Sequence, residues 1–190
     1  PMLYYVESCN YPPVAGTPDK RETYHEIELS GFNEGEQAYY GCWADYSSWL
    51  LSFWNKNDFL QLGLCAPPVN SGEKIPVGNY VYRELKEDED YVPYSLVPGD
   101  YEPDEAVYYD TWFLNGNVSY DEYGRYYSYG ITDGNVDVSI AEDGSYIVKY
   151  TLYDDIECYT ITGTSVVKNL SYYDESSSSE DEIAATSLQL

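Results

Sequence analysis

The chain predicts an all-β fold, an antiparallel β-sandwich with a small β-barrel as the alternative and no substantial helix. Three observations carry this. Short runs of Val, Ile, Tyr, Trp and Thr alternate with polar residues at a period of two, clusters of Gly, Asn and Asp separate them, and no stretch of ten or more residues shows a helical period. A hydrophobic fraction of 43% with 17% aromatics, in 190 residues, is enough to bury a real core in one domain.

Tyr11-Pro12-Pro13, Gly16 and Pro18-Asp19 make residues 1–22 an extended N-terminal lead-in. The chain opens on Pro1 with neither a basic nor an apolar leader segment, and so reads as a mature or trimmed form. The domain proper spans 23–173. It begins where Tyr24, Glu26, Glu28 and Ser30 alternate with His25, Ile27 and Leu29, a strand that puts the lone His25 on an apolar face as a structural residue.

A first hairpin runs from Ser48 to Trp54, turns through Asn55-Lys56-Asn57-Asp58, and returns as Phe59 to Leu64. The segment Ile75-Pro76-Val77-Gly78-Asn79-Tyr80-Val81-Tyr82 predicts an entry turn and a strand. Residues 84–109 then form a long acidic, tyrosine-rich loop, with Pro93, Pro98 and Pro103 punctuating it, expected to be a packed excursion. Trp112-Phe113-Leu114 resumes strand character, and residues 120–129 predict an aromatic hairpin around Gly124.

The clearest element is a three-stranded meander. Val136, Val138 and Ile140 lead into the turn Glu142-Asp143-Gly144-Ser145, where Gly144 supplies a positive φ; Tyr146 to Leu152 follow, and Cys158 to Thr164 form the third arm. Val136, Val138, Ile140, Tyr146, Val148, Tyr150 and Leu152 share one face, the expected core. Residues 174–190 read as an acidic, Ser-rich linker ending in a short strand over 183–190, which either closes the sheet or opens a following repeat.

Three of these segments resemble a known family. Ala38-Tyr39-Tyr40-Gly41, then Ile75 to Tyr80, then Asp143-Gly144-Ser145-Tyr146-Ile147-Val148 leading to Ile161-Thr162-Gly163-Thr164, are similar in kind and order to motifs of uncharacterised β-domains of exported Bacteroidetes lipoproteins. The resemblance covers residues 23–173. It implies an exported β-sandwich at the cell surface or in the periplasm, often one of several modules, and it assigns no catalytic residue.

Charge restricts function. With 34 Asp plus Glu against nine Lys plus Arg, the formal net charge is −25, so the surface repels nucleic acid and anionic headgroups. No apolar run approaches the ~18 residues of a membrane helix. The partners expected are therefore a glycan or another surface protein, with no nucleic acid and no membrane insertion, the oligomeric state being left open.

Four cysteines, Cys9, Cys42, Cys65 and Cys158, contain no closely spaced pair for zinc, and they are either buried thiols or one of three full disulfide pairings. No cofactor is expected apart from a candidate Ca²⁺ site at Asp100, Glu102, Asp104 and Glu105, with 87–90 and Asp154, Asp155 and Glu157 as further oxygen clusters. None of them has EF-hand spacing.

The 25 tyrosines are the strongest functional signal. A flat ring with a polar tip stacks on sugars or anchors a protein interface. Tyr91, Tyr94, Tyr101, Tyr108, Tyr109, Tyr123, Tyr126, Tyr127 and Tyr129 are the candidate ligand-binding residues, since they sit in loops. Trp43, Trp49, Trp54 and Trp112 are assigned to the core. The expected function is a non-enzymatic binding or adhesion module. The alternatives are a spacer domain with no ligand and an acidic glycan-active enzyme, whose paired carboxylates sequence spacing does not identify.

Overall fold

A computed structural model of the chain describes residues 25–32, 34–43, 45–85, 89–102, 107–117, 129–168 and 170–176, with the backbone alone at 100–102, 107–109 and 129. The described residues are all-β and contain no helix. In chain order the strands are β1 (His25–Glu28), β2 (Glu34–Cys42), β3 (Ser47–Trp54), β4 (Phe59–Ala66), β5 (Gly78–Tyr82), β6 (Ser95–Val97) and β7 (Asp100–Glu102). They continue as β8 (Val107–Tyr109), β9 (Trp112–Leu114), β10 (Tyr129–Gly130), β11 (Asp133–Ile140), β12 (Tyr146–Asp154), β13 (Tyr159–Val167) and β14 (Ser171–Asp174).

Twelve strands make one sheet in the order β1-β13-β12-β11-β5-β6-β4-β3-β2-β14, with β9 added beside β4 and β10 beside β9; β7 and β8 pair separately. Pairing is mixed. β1 with β13, β5 with β6, and β14 with β2 run parallel, whereas the expectation was antiparallel throughout.

The connections force this sheet to curl. β13 and β14 stand eight positions apart in the strand order yet are joined only by residues 168–170. Eight strand spacings in a flat sheet measure about 38 Å, while four extended residue steps reach about 14 Å. Residues 29–33 impose a similar limit between β1 and β2. The two edges must therefore approach each other, and the result is a strongly curled half-barrel, closer to the barrel alternative than to two stacked sheets.

Alternation fills the hollow. Trp49, Leu51 and Phe53 of β3 stand opposite Leu64, Leu62 and Leu60 of β4, and all six are fully buried. Val136, Val138, Val148, Tyr150, Leu152 and Ile161 complete the other wall. Ile140, placed in the core by its period, is instead 49% exposed, because it is the last residue of β11 and stands at the rim opposite Tyr146. Residues 29–32 cross the open side: Leu29 and Phe32 are buried, and the Leu29 carbonyl accepts a hydrogen bond from the Tyr150 hydroxyl.

Three further elements were not expected. β2 was read only as a short motif, but it is a nine-residue strand whose inward residues include the buried amide Gln37, bonded to the Ile75 N–H. The long loop over 84–109 contains β6, an interior strand of the sheet. β14 extends the folded body to Asp174, which had been placed in the tail. Of the expected hairpin at 120–129 only Tyr129, in β10, is among the described residues, and the expected terminal strand at 183–190 lies outside them.

The strand β4 forks, its first half pairing β9 and its second half β6. Thr111 joins the branches. Fully buried, its hydroxyl donates to the Val97 carbonyl and accepts from the Gly63 N–H at 2.9 Å, while its own carbonyl accepts from the Ile131 N–H at 2.9 Å. Thr111→Val strands one buried donor and one buried acceptor, so chemical denaturation is expected to show a loss of about 2–4 kcal/mol. Thr111→Ser, which keeps the hydroxyl, retains most of the stability.

Candidate functional site

The two halves of the sheet present different outer faces. On β11, β12 and β13 the outward residues are mostly polar, with Asp137 opposite Lys149 and Thr160, Thr162 and Thr164 along the third strand, and they also include Tyr153, Ile147 and, opposite Ile147, the exposed Val166. On β14-β2-β3-β4 the register aligns Tyr173, Ala38, Leu50 and Gly63 in one row, with Glu36, Ser52 and Gln61 in the next. Asp110 sits on this second face directly over Gly63, where an added Cβ would come within 2.9 Å of the Asp110 Cβ. Asp110 is in the left-handed region at φ 57°, uncommon outside glycine, and its carbonyl is held by the Gln61 side-chain amide at 2.9 Å.

Around Asp110 a cluster of aromatic and acidic groups assembles. Burial pushes the Tyr91 phenol up to about 12, with Asp110, Cys65, Tyr82 and Tyr46 adding to it. The Tyr40 phenol is likewise pushed up to about 12 by burial and then by Glu175, Glu36 and Asp110. Cys65, a buried free thiol, reaches about 12 through burial and Asp110, so it is protonated and unreactive at neutral pH. The Glu36 carboxyl is also raised, by burial first and by Glu175 second.

At one end of this face the β2–β3 turn carries an aromatic stack. The Trp43 N–H donates to the Tyr46 carbonyl at 2.8 Å, closing the turn, and the two rings stack with centroids 5.6 Å apart and planes 21° apart. Trp43 is 50% exposed. Its assignment to the core is thereby corrected: it begins no strand but sits at a hairpin tip. Among the other tryptophans only Trp49 is wholly internal; Trp54 is half-buried and donates to Glu34 at 3.0 Å, and Trp112 is half-buried against Phe59 at 4.6 Å.

Among the candidate tyrosines, Tyr91 joins this cluster. Tyr94 does not. At φ 66° its ring lies against Gly78 and meets the buried Tyr80 ring edge-on at 5.4 Å, leaving it 41% exposed. Tyr101 stands opposite Tyr108, and Tyr109 opposite Asp100, in the β7–β8 ribbon; Tyr129 stands opposite Phe113. Tyr123, Tyr126 and Tyr127 lie outside the described residues. The aromatic groups at this face also include Trp43, Tyr40 and Tyr46, which sequence reasoning did not select. The available signal was the run Tyr39-Tyr40-Gly41-Cys42-Trp43 ahead of Asp45-Tyr46, a turn rich in rings.

Of the proposed calcium ligands, Asp100 and Glu102 are on β7, and Asp104 and Glu105 lie outside the described residues. Among the described residues no group of three or more His, Cys, Asp or Glu is placed to hold a metal. The Asp154, Asp155 and Glu157 cluster serves the β12–β13 turn instead. The Asp154 carboxylate accepts the Ile156 N–H at 2.9 Å and the Glu157 N–H at 3.1 Å, and Asp155 accepts the Thr132 hydroxyl at 2.9 Å. Cys158, at the end of this turn, is disulfide-bonded, while Cys42 and Cys65 are free thiols. No helix among the described residues is long and apolar enough to cross a membrane. No family model, curated protein or solved structure matches the chain.

Proposed function

We propose that this chain is an exported, non-enzymatic module that binds glycan on the outer face of β14-β2-β3-β4, through the Trp43–Tyr46 stack with Tyr40 and Tyr91 beside it. The observation that carries this reading is the exposed indole of Trp43, backed by the near-parallel ring of Tyr46, on a face where Glu36, Glu175 and Asp110 surround Tyr40. Such a ring stacks on the apolar face of a sugar, and the acids accept its hydroxyls. A protein ligand suits this face less well, because the centres of protein interfaces are depleted in charge, whereas Glu36, Glu175 and Asp110 stand among these rings. The Cys158 disulfide favours an oxidising compartment and hence export to the periplasm or cell surface.

A glycan array probed with the wild type and with Trp43→Ala tests the reading. The expected result is binding by the wild type and a loss of at least about tenfold in Trp43→Ala, with an unchanged Tm because the indole is half in solvent. Absence of binding by the wild type would remove the glycan reading and favour the spacer. Cleavage of a bound oligosaccharide that stops in Glu36→Gln would make the face catalytic, since Glu36 is a raised carboxyl beside a second acid.

A further inference from the structure

The outer face of β5-β11-β12-β13 is self-complementary about its own midline. Ser139 stands opposite Ile147, which stands opposite Val166, and Val77, next to the Gly78 that pairs with Val138, continues that row towards β5. The next row along the strands is Asn79, Asp137, Lys149 and Thr164. We infer that this face is the contact between two copies of the chain, related by a two-fold axis that runs along the strands between β11 and β12.

Such an axis lays β12 of one copy over β11 of the other, and β13 over β5. Each Asp137 then meets the Lys149 of the second copy. Val77, 48% exposed, meets Val166, 55% exposed, so both apolar ends of the first row are covered. Asn79 meets Thr164, and Ile147 meets Ser139, whose hydroxyl is already bonded to the Ile147 carbonyl of its own sheet at 3.3 Å. Acidic β1, with Glu26 and Glu28, falls over β6, whose residues Ser95–Val97 are uncharged.

Two features single this face out in a chain of net charge −25. Asp137 and Lys149 balance each other on it, whereas two copies meeting through β14-β2-β3-β4 would bring Glu36, Glu175 and Asp110 together with their own counterparts. Exposed valines also stand on both sides of the charged pair, Val77 and Val166 in one row and Val81 two residues beyond Asn79, and the water they exclude on contact strengthens the pairing. Three rows on four strands span about 19 Å by 20 Å, and the sheet curls away beyond them. That footprint is at the small end of specific interfaces, so a dissociation constant of about 1–100 µM is expected. The inference is independent of any ligand and does not use the Trp43 face.

Sedimentation equilibrium of the whole chain from about 1 µM to about 1 mM, in about 0.15 M salt to screen the repulsion between the two bodies, tests the contact. The expected result is a reversible monomer–dimer equilibrium. A monomer throughout, or a pair that persists in SDS without reductant and is thus disulfide-linked, would overturn the inference. Charge reversal locates the contact. Asp137→Lys brings like charges together at both crossings and is expected to weaken association at least about tenfold, even though it removes two of the 25 net negative charges and so lowers general repulsion. Lys149→Asp is expected to weaken it likewise. Mixed in equal amounts, the two variants restore opposite charges at both crossings, and a heterodimer at least as tight as the wild-type pair is expected. Both side chains lie on the solvent side of their strands, so each variant keeps the wild-type Tm to within about 3 °C. Wild-type association by either variant alone, or no association in the mixture, would place the contact elsewhere and overturn the inference.

Discussion

Gly163→Ala is expected to lower the unfolding free energy by about 2–4 kcal/mol in urea denaturation, among the largest effects of any single added methyl in this chain. A Cβ at this strand position would overlap the Leu29 carbonyl oxygen and press on the Tyr150 hydroxyl at 2.7 Å. Leu29 cannot simply retreat. Its carbonyl accepts the buried Tyr150 hydroxyl and its N–H is bonded to Thr162, so moving it breaks both bonds and withdraws Leu29 and Phe32 from the hollow. Gly144→Ala is the control. At φ 83° it is strained but meets nothing within 4 Å, so its cost is expected to stay near 1 kcal/mol. A midpoint for Gly163→Ala equal to that of the wild type would show that residues 29–32 do not cross as described.

Asp154→Asn is expected to stabilise the protein at pH 7.5 by about 1–3 kcal/mol, with the gain vanishing near pH 4. Asp154 is 2% exposed. Burial raises its carboxyl to about 6, Glu157 and Asp155 add to the rise, and the Glu157 and Ile156 amides oppose it. Below the ordinary value of 3.8 the group is protonated in both the folded and unfolded states, and no penalty exists. Between 3.8 and about 6 the unfolded chain releases a proton that the folded chain keeps, so stability falls as pH rises; above about 6 the full penalty applies, on the order of 3 kcal/mol. Asparagine cannot ionise, and its carbonyl oxygen still accepts the two turn amides. Melts of both proteins from pH 4 to 8 check this, and parallel curves would refute it.

The parts of the fold legible in the sequence are those where a local pattern and the tertiary environment agree. The meander of β11, β12 and β13 alternates inward Val, Tyr and Leu with outward Asp, Lys and Thr, and Asn55 folds its own turn by accepting the Asn57 and Asp58 amides. β2 was obscured because its inward residues are Gly35, Gln37 and Tyr39 rather than aliphatics. β6 was obscured because three residues are too few to show a period, and their place in the sheet is set by Thr111 from afar. The parallel edges and the curl follow from which strands meet across the whole chain, information that no window of neighbours contains.

The candidate site was half legible for a related reason. Tyr91 was selected from the acidic loop, and Asp110 and Tyr46 both act on its phenol electrostatically. Trp43 was sent to the core because tryptophan usually belongs there, while the tight turn from Trp43 to Tyr46 holds it out in solvent. Side-chain type suggested the chemistry, and the exposure of Trp43 came from the turn closed by its bond to Tyr46, which no local pattern announces.

The curled sheet also fixes how the body responds to tension. Following the pairings across the strand order, β1 and β14 run in the same direction at opposite edges, so the chain enters at one end of the half-barrel through His25 and leaves at the other through Asp174. A pull between those two points slides each edge strand along its neighbour and loads its hydrogen bonds together in shear, instead of peeling them one at a time.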